Sequence, residues 1–137
     1  MKAQPDVARH GAAGPDRRLR RAQRLTRSTH FQEAFDQNHS AVGRYMVVRT
    51  RHAADAGLRI GLITSRKVGN AVDRSRARRK LREVWRLNRH RLGGKVDVVI
   101  VARRAIVAAA HTDVETELLR LLSKLDVPID AREREDA

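Results

Sequence analysis

Residues 70–92 read NAVDRSRARRKLREVWRLNRHRL, and Gly93-Gly94 and then KVDVVIVA (95–102) follow directly. Ala77, Leu81, Val84, Trp85 and Leu92 recur at helical spacing. At about 100° per residue they fall on one arc roughly 80–100° wide, the stripe of a helix lying on a sheet. Gly93-Gly94 ends that helix, since glycine suits the left-handed turn beyond a C-terminus. Val96, Val98, Val99, Ile100 and Val101 then form a near-continuous apolar run, as expected of a strand covered on both faces. A basic amphipathic helix feeding a buried strand sets the expected architecture: helices packed on a small sheet.

The flanking sequence extends this pattern. Upstream, Thr29 and Gln32 have the spacing of a capping box, and Phe31, Ala34 and Phe35 share a helical face, which predicts a short helix ending near Asn38. Residues 45–50 are β-branched and apolar and predict a strand. Residues 51–57 form a turn region, and residues 58–64 predict a second strand paired antiparallel with the first. Downstream, Thr112 and Glu115 suggest another capping box, opening a helix that carries Val114, Leu118, Leu121, Leu122 and Leu125 on one face. The expected fold is α+β, a two-layer α/β sandwich of order α-β-β-α-β-α. Residues 1–22 read as a flexible basic arm, 23–127 as one domain, and 128–137 as a charged flexible tail.

The 137 residues include 30 Lys and Arg against 16 Asp and Glu, a formal net charge of +14. Nucleic acid is the commonest partner for such a charge. There is no cysteine, which excludes disulfides, thiolate metal sites and cysteine nucleophiles. The most apolar stretch, 96–110, is interrupted by Arg103 and Arg104 and is too short and charged to span a bilayer. The N-terminus lacks the apolar core of a signal peptide, so the expected setting is cytoplasmic, without membrane contact.

Nine of the 30 basic residues lie within residues 70–92. Arg78, Arg89, Arg82, Arg86 and Arg79 project onto one arc beside the apolar stripe, with Arg76 just beyond it, and only Asp73 and Glu83 oppose them. Like charges three and four apart cost a helix a few tenths of a kcal/mol each. A merely solvated face would intersperse more glutamate, so this one reads as a polyanion-binding face. Gly69 and Asn70 mark the helix start, where open backbone N–H groups favour phosphate, with Arg66, Lys67, Arg74 and Arg76 clustered around them. For Arg66 and Lys67, solvation of a strand end is an equally good account. Of the few aromatics, Trp85 falls on the apolar stripe and belongs to the core. Phe31 and Phe35 are core by periodicity, or a platform for stacked bases if that side of the sheet is open. No set of convergent carboxylates and no nucleophile–base arrangement suggests that the protein cleaves phosphodiesters by itself.

The string Ser65-Arg66-Lys67-Val68-Gly69-Asn70-Ala71-Val72, then Arg74-Ser75-Arg76-Ala77-Arg78-Arg79 and Arg82-Glu83, resembles the signature of the bacterial ribonuclease P protein subunit. Phe31-x-x-x-Phe35, Ile60-Gly61 and residues 97–103 are also similar to that family, and the likeness spans about residues 25–125. The resemblance implies a sandwich with a left-handed crossover and a role in removing the 5′ leader of precursor tRNA. It also implies that the RNA subunit carries catalysis with Mg²⁺, in a 1:1 complex, with no cofactor bound by the protein alone. Carried over by position, Asn70, Arg74, Ser75, Arg76, Arg78, Arg79, Arg82 and Arg86 would contact the catalytic RNA subunit. Phe31, Phe35, Tyr45, Arg66 and Lys67 would line the leader-binding cleft. The family usually has Arg-Asn-Arg where this chain has Arg74-Ser75-Arg76, which exchanges an amide's paired donor and acceptor for a hydroxyl. A ribosomal or chaperone RNA-binding protein, or a DNA-binding protein with its basic helix in the major groove, would share the charge. Neither accounts for the string from Gly69 to Glu83.

Overall fold

The computed structural model describes residues 20–130. Its helices are α1 (Ser28–Gln37), α2 (Ala71–Asn88) and α3 (His111–Lys124). Its strands are β1 (His39–Val42), β2 (Met46–His52), β3 (Ile60–Ile63) and β4 (Val96–Ala102). Short 3-10 turns occupy Arg66–Val68 and Arg104–Ala108.

The sheet order is β1-β2-β4-β3; β4 is antiparallel to β2 and parallel to β3. The expected antiparallel pairing of β2 with β3 does not form, because β4 lies between them. A β2–β3 hairpin would have left β4, the most apolar strand, on an edge with its ladder open to water. In the centre, six of its seven residues are buried. Strand β1 is the other departure: it is too short to show an alternation, and it pairs only with β2 across the turn at Gly43.

The two faces of the sheet are covered unequally. Met46 and Val48 of β2, Ile60 of β3 and Val98 and Ile100 of β4 face α2 and α3, and pack with Leu81, Trp85, Leu118 and Leu122 into the main core. Trp85 is fully buried there, as its position on the stripe predicts. On the opposite face lies α1, whose Ala34 and Phe31 pack with Leu25, Val99 and Ile63 in a small second cluster. Part of that second face therefore stays open.

Helix starts differ from the predicted capping boxes. The N-caps of α1 and α3 are Arg27 and Ala110, without side-chain caps, so Thr29 and Thr112 lie one residue inside their helices. Helix α2 is capped fully. Asn70 Oδ1 accepts from the Asp73 amide at 2.9 Å, and Asp73 Oδ2 accepts from the Asn70 amide at 3.3 Å. Gly69 before it holds φ +147°, and a Cβ there would collide with the Asp73 carboxylate.

Residues at both ends of the predicted domain are pinned. Arg21–Gln23 form a 3-10 turn, and the Leu25 amide donates to Ile60 O at 2.8 Å. At the other end Gly93 N donates to Pro128 O and Asp130 N to Arg91 O, so residues 128–130 are tied to the exit of α2. The rest of the expected arm (1–19) and tail (131–137) lies outside the described residues.

One polar network has no counterpart in the sequence patterns. Arg51 on β2 stands opposite Asp97 on β4, and both are buried, at 3% and 0% exposure. Asp97 Oδ2 accepts from Arg51 Nη1 at 2.7 Å and Arg59 Nη2 at 2.8 Å, while its Oδ1 accepts from the amides of Gly57 and Arg59. Arg51 also donates to Glu33 and Asp55, and His30 Nε2 lies 3.3 Å from Asp55. Burial by itself would raise the Asp97 carboxyl, but the Arg59 guanidinium and the two amides outweigh it and hold the group below the usual aspartate range. The network locks the 53–59 turn onto the sheet.

Candidate nucleic-acid interface

Helix α2 presents its apolar stripe to the sheet, which leaves the arginines outside. They do not form one uniform arc. Arg86 is held by Glu83, with Nη2 2.6 Å from Oε2. Arg89 turns back to donate to the carbonyls of Leu58 and Gly57, and burial lowers its pKa from the ordinary arginine value. Lys80 Nζ donates to the carbonyls of Ile106, Val107 and Ala109 at 3.0, 3.1 and 2.6 Å. Burial first, and then the nearby Arg76, lower its pKa. Arg89 and Lys80 fasten α2 to its surroundings, while Arg86 is paired within the helix itself.

The remaining arginines face outward. Arg76, Arg79 and Arg82 are exposed, and among the described residues no carboxylate pairs with them. Arg74 Nη1 donates to Gly69 O at 3.0 Å, and Arg78 Nη2 donates to Thr64 Oγ1 at 2.6 Å, which leaves most of each guanidinium's donors uncommitted. Ser75 is exposed beside Arg78, Arg79 and Arg82 in a shallow recess. Asn70 is occupied by its cap, and the Asp73 carboxylate stands where a phosphate was expected at the start of α2.

Two grooves flank this ridge. On the β3 side, Arg78 and Arg82 share a groove with Phe31, Arg24, Ile60 and Leu62. On the α3 side, Arg76 and Arg79 share another with Val107 and His111. Phe31 rests directly over Gly61, where an added Cβ would lie 2.5 Å from the ring. Phe35 is 37% exposed, and the Arg49 guanidinium carbon sits 4.6 Å from its ring centroid. The two phenylalanines thus divide the roles expected of them: Phe31 is half core and half groove wall, and Phe35 is a surface ring.

Tyr45 is placed apart from them. It packs against the main core, and its amide donates to Glu117 Oε2 of α3 at 2.8 Å. Arg66 and Lys67 are exposed on the 3-10 turn after β3, and among the described residues their side chains have no partner. Sequence reasoning missed Arg49 and Arg24. An arginine amid the alternation of a strand was the available signal for Arg49; nothing marked Arg24.

Among the described residues no group of three His, Asp or Glu side chains is arranged to hold a metal ion, and no helix is long and apolar enough to cross a membrane. The convergent carboxylates of Glu33, Asp55 and Asp97 are committed to arginines. A mixed sandwich that turns an arginine ridge outward has the architecture of a nucleic-acid-binding protein.

The family described as Ribonuclease P matches residues 19–126. The ribonuclease P protein component of Exiguobacterium sp. is 33% identical over 109 residues, 80% of this chain and 95% of that protein. The RNase P protein structure from Thermotoga maritima superposes with a TM-score of 0.66 at 28% identity, covering 74% of this chain and 96% of that one. That from Staphylococcus aureus gives 0.69 at 26% identity, covering 78% and 98%. The chain belongs to the ribonuclease P protein family, the protein subunits of the endoribonuclease that processes the 5′ end of tRNA.

Proposed function

We propose that the chain forms a 1:1 complex with its catalytic RNA and holds the 5′ leader of precursor tRNA beside it, in the cytoplasm. The RNA carries the chemistry with Mg²⁺, and the protein supplies position and charge. The observation that carries this reading is the ridge of α2: Arg76, Arg79 and Arg82 are free of the chain's own carboxylates among the described residues, while Arg78 and Arg82 also wall the groove that contains Phe31. A folded RNA lies along the ridge, on Arg74, Ser75, Arg76, Arg78, Arg79 and Arg82. Asn70 contributes by fixing the start of the helix, and Arg86 contributes through its position beside Arg82 on the same helix. The single-stranded leader enters on the β3 side, where Phe31 offers an apolar wall and Arg78 and Arg82 a phosphate-binding rim, and runs toward Phe35. Arg66, Lys67 and Tyr45 flank this path. The test is cleavage of a precursor tRNA by the cognate RNA subunit at low Mg²⁺, with and without the protein. Marked stimulation is expected; its absence overturns the reading.

Replacing Phe31 by leucine preserves most of the apolar packing over Gly61, so the expected stability loss is about 1 kcal/mol. Loss of a stacking ring should weaken holoenzyme binding to a leader-bearing substrate by about 1–3 kcal/mol. Binding to a substrate without leader should stay unchanged. Equal affinities for the leader-bearing substrate before and after the change assign the ring to the core alone.

A further inference from the structure

We propose that the groove between α2 and the start of α3 is a second phosphate site, which grips a phosphodiester of the folded RNA partner through Arg76, Arg79 and His111. The inference rests on the RNA-docking role proposed above and extends the footprint beyond α2. Arg76 and Arg79 stand one helical turn apart, exposed and free of carboxylates among the described residues. Glu83, the acid that lines the groove, is neutralised by Arg86 at 2.6 Å. Lys80 in the same groove has its three donors spent on the carbonyls of Ile106, Val107 and Ala109. It cannot donate to a ligand, yet its charge remains, and it fastens the segment leading into α3 against α2. The groove is therefore preorganised and positive before His111 contributes.

His111 opens α3, and its exposed side chain lines the groove wall opposite the arginines. The other charged groups on its own stretch of chain are Arg104 on the preceding turn and Asp113, Glu115, Glu117, Arg120 and Lys124 on α3 itself. Glu115 is engaged by Asn88 Nδ2 at 2.7 Å. Histidine is the side chain whose charge changes between about pH 5 and 8, and an imidazolium donates from both ring nitrogens, which suits a phosphate seated between Arg76, Arg79 and His111. The ridge of α2 separates this groove from the one holding Phe31, which assigns it to the folded RNA rather than to the leader.

The test measures affinity of the full chain for its cognate RNA subunit at pH 6 and pH 8 over a range of salt. For the unsubstituted protein, the slope of log affinity against log salt is expected to steepen by about 0.9 at the lower pH, where the imidazolium neutralises one more phosphate. The variant His111→Gln should show one slope at both pH values. His111→Glu separates folding from binding: an acid in the first helical turn favours the helix dipole, so thermal stability holds. Like charge facing a phosphate lowers RNA affinity by about tenfold. The loss should be equal for holoenzyme substrates with and without a leader. A pH dependence that survives in His111→Gln, an unweakened His111→Glu, or a loss confined to leader-bearing substrates overturns the site. Failure of the unsubstituted protein to bind the RNA subunit overturns the docking role first, and the site with it.

Discussion

Substitution of Asp97 by alanine is expected to destabilise the fold by about 3–5 kcal/mol, the cost of removing one partner from a buried ion pair. The carboxylate is fully buried and accepts from Arg51, from Arg59 and from the amides of Gly57 and Arg59. Its loss leaves the buried Arg51 guanidinium with one acceptor fewer and two amides of the 53–59 turn without theirs. Denaturant unfolding followed by circular dichroism measures the effect. Adding Arg51→Met to Asp97→Ala removes the stranded charge, so the double variant should be less destabilised than the two single effects summed; strict additivity would show that the pair is not coupled. The network also fixes the sign of the acid response. The folded Asp97 carboxyl lies below its unfolded value because Arg59 and the amides outweigh the opposing effect of burial. Its contribution is therefore present above the unfolded aspartate pKa of about 3.9 and is lost as pH falls through the lower folded value. The unsubstituted protein should lose stability steeply below about pH 4, and Asp97→Asn should flatten that limb. An acid limb unchanged in Asp97→Asn would assign the loss to other carboxylates.

The elements that bury a periodic apolar pattern were legible in the residues themselves. The stripe from Ala77 to Trp85, the run in β4 and the leucines of α3 are decided by how side chains distribute around a helix or across a strand, and they recur as the main core. Strand order was not legible in the same way. Pairing β2 with β3 follows from their closeness in the chain, whereas the order β1-β2-β4-β3 follows from the need to place the most apolar strand in the centre. The Arg51–Asp97 pair was hidden because its members are 46 residues apart and each alone reads as a surface charge. At the candidate interface the sequence located the arginine-rich helix but could not divide it. Arg89 and Arg86 lie on the same projected arc as Arg79 and Arg82. Only the positions of the Leu58 carbonyl and of Glu83 decide that the first two are fastened internally and the latter two face outward.

That division makes the second large effect selective. Replacing Arg78, Arg79 and Arg82 together by alanine is expected to lower affinity for the cognate RNA subunit by about two orders of magnitude or more, since hydrogen bonds to charged groups contribute about 1.5–3 kcal/mol each. The slope of log affinity against log salt should flatten by roughly 0.7–0.9 for each phosphate no longer neutralised, or by about 2–3 in all. Folding should be nearly unaffected, because Arg79 and Arg82 make no ion pair among the described residues and Arg78 makes one hydrogen bond, to Thr64. The comparison that gives the result its meaning is Arg89→Ala. That substitution removes the same formal charge from the same projected arc, but it severs the bonds to Gly57 and Leu58. It should therefore lower stability while changing the salt slope little. If net charge alone drove binding, the slope would fall by the same amount per arginine at every one of these positions. If the geometry governs, the slope follows the outward-facing arginines and the melting temperature follows Arg89. A triple variant with an unaltered slope would show that the ridge is merely solvated, and the docking role would fall with it.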